Sequence, residues 1–228
     1  MGEKKKKEAK MARWKQVVVI GACVLFVVLM IVSSMGSSWI TGIAGAKPGN
    51  TVVVDYTIND AAGNPVITTD QQLFKQIAGS NGNILYTNQL SITANMTRDE
   101  TLLPIPAYSA TEGWKYEYAL FAPEFNAISS GVVGMKVNEQ KKVTVPGSSS
   151  MVQLWTPEQL ALNGVNMSQI QVGDSFVMGV SDNPDEMATN SSAETYVRIG
   201  AITNKAADGV TVNFGVPTID LKVVSIGS

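Results

Sequence analysis

The sequence contains no histidine, and its only cysteine is Cys23. A chain without histidine cannot build the usual Cys/His zinc sites, a Ser–His–Asp triad or a Cys–His pair. A single cysteine cannot form a disulfide within the chain. We therefore predict that the protein holds no metal and no other cofactor. Any enzymatic activity must work without a nucleophile activated by histidine.

Charged residues make up only 16% of the chain, and the two signs are unevenly distributed. Residues 1–15 carry seven basic and two acidic side chains. The remaining residues carry ten basic and seventeen acidic side chains, which gives them a net charge of −7. Because an acidic surface repels phosphate groups, we expect no nucleic-acid partner. The basic cluster at the N-terminus must serve another purpose.

The longest apolar run, Val17–Val32, follows this basic segment directly. Sixteen helical residues span only about 24 Å, less than the roughly 30 Å of a bilayer core, so the predicted helix is extended to Trp39-Ile40. Trp14 and Trp39 then suit the two membrane interfaces, and the basic residues keep the N-terminus in the cytoplasm. The sequence thus predicts a basic cytoplasmic tail over 1–15, a single transmembrane helix in the lipid bilayer over 16–40, and a linker over 41–50.

Three other interpretations of this segment are possible. Ala44-Gly45-Ala46 has the small-residue pattern of a secretory cleavage site, although it lies well beyond the end of the apolar run. Ile20-Gly21-Ala22-Cys23 resembles a lipoprotein cleavage box, although apolar sequence continues after the cysteine. A buried structural helix is disfavoured by the flanking lysines. An uncleaved anchor fits best, and it predicts a single-pass protein of the cell membrane with an extracytoplasmic C-terminal part.

Local patterns predict strands and short helices after residue 50. Thr51–Ile58 is rich in β-branched residues, and Gln140–Val145 alternates between apolar and polar side chains. Helical spacing predicts helices over Gln71–Ala78 and Ala127–Val133. Further strands are predicted over Val66–Thr69, Ile84–Tyr86, Gln89–Ala94, Trp114–Leu120, Ile170–Val180, Tyr196–Thr203, Gly209–Phe214 and Ile219–Ile226, and a further helix over Thr156–Leu162. In the aromatic strand, Trp114, Tyr116 and Tyr118 are expected on one side.

Three stretches resemble FKBP-type prolyl isomerases. The run GMKVNEQKKVTVP, Gly134–Pro146, resembles the Gly-Met-x-Val-Gly-Glu-(basic)-x-Val-Thr-Val-Pro segment of that family. The run KPGNTVVVDYTINDAAGNPVITT, Lys47–Thr69, resembles its opening strand and acidic turn. The pattern QVGD…YVRIGAITNKAADGVTVNF…LKVVSI resembles the insert-in-flap domain of the SlyD-like branch, followed by the last strand of the isomerase domain.

This resemblance implies an α+β fold. After the N-terminal transmembrane helix we expect an FKBP-like antiparallel β-sheet wrapped on a short helix, formed by 51–149 plus 218–228. A small inserted β domain, similar to the insert-in-flap domain, is expected over 150–217.

The resemblance also implies a binding pocket for the prolyl segment. Rotation about an X–Pro bond needs no nucleophile, because an apolar pocket can favour the twisted amide over the planar one. The substrate-binding residues implied are Tyr56, Val66, Ile67, Tyr116, Tyr118, Phe125, Ile128 and Ile219. Val66-Ile67 replaces the family's Phe-Asp pair, and no flap tyrosine follows Pro146. No residue is therefore assigned a certain catalytic role.

The implied function is that of a membrane-anchored, extracytoplasmic prolyl cis-trans isomerase or folding chaperone for secreted or membrane polypeptides. Its expected partners are unfolded or proline-containing polypeptide clients. The altered pocket predicts weak or lost isomerase activity. The alternative is a catalytically inactive FKBP-like accessory or scaffolding subunit of a membrane or cell-surface assembly.

Three Asn-x-Ser/Thr triplets begin at Asn95, Asn166 and Asn190. Such triplets are acceptors for N-glycosylation when they lie on the surface of an extracytoplasmic domain. Asn190 lies in a polar stretch, and the sequence favours it as the accessible one.

Overall fold

A computed structural model describes residues 21, 24–31, 33, 45–80, 82–181 and 194–227. The chain divides into two compact units, Met1–Thr41 and Gly42–Ser228. In the first unit, residues 24–31 are helical and their side chains are exposed. No helix among the described residues is both long and apolar enough to cross a membrane. The predicted tail 1–15 and most of the predicted helix 16–40 lie outside the described residues.

In the second unit, the described residues form twelve strands and three α-helices. The strands are β1 Thr51–Asn59, β2 Pro65–Thr68, β3 Leu85–Thr87, β4 Leu90–Thr93, β5 Leu102–Ser109, β6 Gly113–Phe121, β7 Gln140–Thr144, β8 Val152–Trp155, β9 Ser175–Val180, β10 Tyr196–Ala206, β11 Gly209–Asn213 and β12 Thr218–Ile226. The helices are α1 Gln71–Gly79, α2 Ala122–Gly131 and α3 Pro157–Leu162.

All twelve strands belong to one sheet, which curls into half a barrel. The strand order is β7-β12-β1-β2-β3-β5-β6-β10-β11-β8, while β4 pairs with β1 and β9 pairs with β10. The β2–β3 and β6–β10 pairs are parallel, and the other pairs are antiparallel.

The fold class predicted from the sequence is wrong. The described residues are mostly β, with 43% in strands and few in helices, and they do not form the predicted α+β fold. The strands β8 to β11, expected to form a small inserted domain over 150–217, continue the same sheet as β1 and β12. The physical reason is the length of β10. Its eleven residues pair with β9 and β11, and its first part also reaches β6, where Val197 lies opposite Tyr118.

Most locally patterned elements form where the sequence predicts them. Strands β1, β7 and β12 match their predictions to within one residue at either end. Helix α1 begins after Asp70, whose carboxylate accepts from the backbone N–H groups of Gln72 and Leu73. This side-chain cap satisfies two donors that have no partner within the helix.

Helix α2 begins five residues earlier than predicted. Pro123 lies in its first turn, where the missing N–H costs nothing. The Glu124 carboxylate accepts a 3.0 Å hydrogen bond from the Phe121 N–H and closes that turn. Helix α2 packs on the sheet through Phe125 and Ile128, both of which belong to the main core.

Three hydrophobic clusters lie in the described part of the second unit, and the smallest contains Leu102, Ala119 and Tyr196. The largest one joins β1, β2, β12, α2 and parts of β6 and β10. The second one lies within 150–217 and contains the buried residues Leu160, Ile170, Phe176, Ile202, Val210, Val212 and Phe214. Residues 150–217 therefore keep a core of their own, although their strands extend the common sheet.

Candidate functional site

The residues of the predicted substrate pocket come together on the inner side of the fold. Tyr116 is partly buried and packs against the main core. The other seven are core residues that expose at most 4% of their surface. They are Tyr56 on β1, Val66 and Ile67 on β2, Tyr118 on β6, Phe125 and Ile128 on α2, and Ile219 on β12. All seven belong to the same buried hydrophobic cluster, the main core.

A buried arginine from β10 completes this core. The Arg198 side chain is fully buried, and its guanidinium forms a two-pronged ion pair with Glu124 at the start of α2. Nη1 also donates to the Tyr118 hydroxyl at 3.0 Å and to the Ala119 carbonyl at 2.8 Å. Nε and Nη2 both donate to the Phe214 carbonyl. Every nitrogen of the guanidinium therefore has a partner, which a buried charge requires.

Aromatic rings enclose the same guanidinium. Its central carbon lies 4.7 Å from the centre of the Phe121 ring and 5.3 Å from that of Tyr118. Both distances are within the range of a cation–π interaction. The ion pair and the two rings connect β10 to β6 and α2, and so attach residues 150–217 to the rest of the sheet.

Burial and charge shift the pKa values of this cluster. Burial acts to lower the pKa of Arg198, but Glu124 and Tyr118 raise it by more, so the guanidinium stays charged. Burial raises the pKa of Tyr118 well above its ordinary value, although Arg198 acts in the opposite direction. Burial also raises the pKa of Tyr56 to about 12, and the neighbouring Thr87 hydroxyl acts against that increase.

The raised pKa values of the buried Tyr56 and Tyr118 phenols predict that the protein unfolds at alkaline pH. The unfolded phenol has a pKa of about 10, so between pH 10 and 12 the unfolded chain releases protons that the folded chain keeps. The stabilisation is complete below pH 10 and is lost as the pH rises through about 12. We expect phenolate absorbance from Tyr56 and Tyr118 to appear together with the loss of circular dichroism. Ionisation of all six tyrosines in a protein that remains folded would contradict this assignment.

An open cleft of about 370 Å³ lies next to the main core. Its twelve lining residues come from the α1–β3 segment, the β5–β6 hairpin, β9 and β10, and none of them is charged. The apolar lining consists chiefly of Ile84, Leu85, Tyr116, Val177, Val197 and Ile199. Volumes of about 300–1,000 Å³ are typical of ligand pockets, so the cleft can accept several apolar side chains. Of the predicted pocket residues, Tyr116 alone lines it.

A larger groove of about 630 Å³ runs along β1, β7 and β12. It is lined mainly by polar and charged residues, including three lysines and three aspartates, and Lys142 pairs with Asp220 at 3.4 Å. Charges of both signs that partly neutralise one another give this groove little attraction for an apolar ligand. Among the described residues, no group of three or more Cys, Asp or Glu side chains is placed to hold a metal ion. The 370 Å³ cleft is therefore the better candidate for a binding site.

The aromatic strand β6 differs from its predicted alternation. Tyr116 lies opposite Ala107, but the register between β5 and β6 shifts before the next pair, Ser109 and Gly113. Because of this bulge, Trp114 packs against the rings of Tyr86 and Tyr108, 6.0 and 5.6 Å away, and not beside Tyr116. The prediction that Trp114 shares a side with Tyr116 and Tyr118 is wrong. A bulge inserts one extra residue into a strand, so the next side chain lies on the opposite face of the sheet.

The sequence did not reveal several residues of this region. Glu124 lies on α2, Val177 lies on β9, and Arg198 and Ile199 are neighbours on β10; no local motif connects these three segments. The only available signal for Arg198 is its position in the strand YVRIGAIT, which is apolar on both faces. Neither models of protein families nor curated proteins match this chain.

Proposed function

We propose that the protein binds exposed apolar segments of other polypeptides in the 370 Å³ cleft and thereby assists the folding of secreted or membrane polypeptides. The observation that carries this proposal is the uncharged lining of the cleft, which includes the exposed Val177 and the half-buried Tyr116. An unfolded client exposes apolar side chains, and their transfer from water into such a cleft contributes about 25 cal/mol per Å².

Strong prolyl isomerase activity has less support. Seven of the eight positions implied by the FKBP resemblance are buried in the main core, and Ile67 stands where the family has an aspartate. A proline ring can enter the neighbouring cleft, but no charged group lines that cleft to orient the amide. Any isomerisation there would depend on apolar surroundings alone.

A charge placed in the cleft should abolish client binding. Val177→Asp puts a carboxylate on the cleft wall, and desolvating it costs more than about 1.4 kcal/mol, which corresponds to at least a tenfold loss of affinity. The matched control is Val172→Asp, because Val172 is similarly exposed but does not line the cleft. Suppression of the aggregation of an unfolded client measures the effect. Equal behaviour of the two variants would show that the cleft is not the binding site.

The isomerase question needs a separate assay on the full chain. Cis-to-trans exchange of a Leu-Pro or Phe-Pro peptide takes tens of seconds or longer without a catalyst. We expect a rate close to that of buffer, together with suppression of client aggregation. A large acceleration that Val177→Asp removes would establish an isomerase in the cleft.

The second candidate function is a non-catalytic accessory or scaffolding subunit of a membrane or cell-surface assembly. The burial of the pocket positions in the main core favours it. If the protein neither accelerated exchange nor suppressed aggregation, this scaffolding role would be the surviving proposal.

The proposed place of action is the outer side of the cell membrane. Two features support this location: the basic residues of segment 1–15 and the exposed apolar side chains of residues 24–31.

A further inference from the structure

The three Asn-x-Ser/Thr triplets differ in their surroundings. Asn190 lies outside the described residues. Asn95 has a left-handed backbone with φ of +61°, and its N–H donates to the Ser129 carbonyl on α2 at 2.9 Å. The next N–H, of Met96, donates to the Ser129 hydroxyl at 2.7 Å. The backbone of the Asn95 triplet is thus bonded to α2, a helix distant in sequence. A glycosylating enzyme must surround that backbone, and α2 blocks its approach.

The Asn166 triplet is open by contrast. Asn166 and Ser168 are both exposed, in the segment between α3 and β9. The nearby backbone hydrogen bonds are local: the Gln169 N–H donates to the Asn166 carbonyl, and the Ile170 N–H donates to the Met167 carbonyl. Met167, between Asn166 and Ser168, packs against the core within 150–217, but neither of these two hydrogen bonds reaches a distant element, so a transferase can approach the Asn166 and Ser168 side chains.

The side chains of the triplet already interact with each other. The Asn166 Oδ1 accepts a 3.0 Å hydrogen bond from the Ser168 N–H and a 2.8 Å bond from the Ser168 hydroxyl. This Asx turn fixes the carboxamide, with Nδ2 on the side opposite to the bonded oxygen. A side chain that is already ordered loses less conformational entropy when an enzyme binds it.

We propose that Asn166 is an N-glycosylation site that receives an oligosaccharide from a lipid-phosphate-linked donor. In the transfer, Nδ2 forms a bond to the anomeric carbon of the first sugar and loses one proton. The bond from that carbon to the lipid-linked phosphate breaks, and the phosphate leaves with its electron pair. The Ser168 hydroxyl is the second recognition element of the triplet. This inference rests on the extracytoplasmic location proposed above.

The test expresses the full chain in a host that glycosylates proteins across its membrane and measures glycopeptide masses. We expect a glycan on the peptide that contains Asn166. It should disappear completely in Asn166→Gln and in Ser168→Ala, and it should be retained in Ser168→Thr and in Asn95→Gln. An unmodified Asn166 in the wild-type chain overturns the proposal.

One additional variant distinguishes the reasons for such a failure. Ala206→Asn combined with Asp208→Thr adds a fourth triplet at the exposed turn between β10 and β11, where residue 206 pairs only with Gly209 of the same hairpin. If position 206 is modified and Asn166 is not, the argument from the open segment is wrong while the location stands. If neither is modified, the location is wrong and the glycosylation site fails with it. Client binding by the cleft is measured independently and can stand in either case.

Discussion

Replacing Arg198 by methionine is expected to lower the free energy of unfolding by about 3–5 kcal/mol. The substitution leaves the Glu124 carboxylate buried without its ionic partner. It also removes the donors to the Tyr118 hydroxyl and to the Ala119 and Phe214 carbonyls. Because these acceptors belong to β6 and to the chain after β11, the loss weakens the junction between 150–217 and the rest of the sheet. Equilibrium unfolding in urea measures the change.

Two further variants make this prediction specific. Lys142→Met removes an ion pair with the same net change of charge, but Lys142 is exposed and Asp220 is about half exposed, so we expect a loss of only about 0–1 kcal/mol. The double substitution Arg198→Met with Glu124→Gln should recover part of the loss, because no buried charge then remains without a partner. Similar effects of Arg198→Met and Lys142→Met would contradict the buried ion pair.

The second large effect is expected at Ile128. The FKBP resemblance implies that Ile128 forms the floor of an open pocket, whereas the structure buries it fully in the main core. Ile128→Ala should therefore cost about 2–5 kcal/mol of stability, since it leaves a cavity that the surrounding side chains cannot fill. The smaller truncation Ile128→Val should cost about 0.5–1.5 kcal/mol.

The same pair of variants distinguishes a core from a pocket. If Ile128 lined an open hollow, Ile128→Ala would enlarge that hollow, change peptide binding and barely alter the unfolding midpoint. In the closed arrangement the unfolding midpoint falls, while client binding by the separate cleft changes little under conditions where the variant remains folded. Urea unfolding and the client-aggregation assay, applied to both variants, decide between the two.

The successes and failures of the sequence analysis have physical causes. Strands β1, β7 and β12 were predictable because an amphipathic strand shows its two faces in consecutive residues. Strand β5 was missed because its sequence, LLPIPAYS, contains Pro104 and Pro106. Strand β3 pairs with β5 only at residues 107 and 108. The earlier residues of β5 form no ladder with β3, so prolines, which have no N–H to donate, are tolerated there.

The candidate site was less predictable than the strands. The strand that begins at Tyr196 is apolar on both faces, so its pattern does not mark the face of Arg198, and arginine is seldom buried. Its burial depends on Glu124, which lies 74 residues earlier in the chain. Similarly, Val177 and Ile84 line one cleft although almost a hundred positions separate them. Pairings of this kind arise from the strand order, which no local pattern specifies.

The central claim is that the strands of residues 150–217 belong to the same sheet as β1 and β12, and that Arg198 joins them to β6 and α2. Native-state amide hydrogen exchange tests it most directly, because it measures the opening free energy of each strand. We predict that the most protected amides of β1, β6, β10 and β12 exchange through a single common opening. Exchange of β10 through a separate and lower-energy opening, while β1 and β12 stay protected, would contradict the claim.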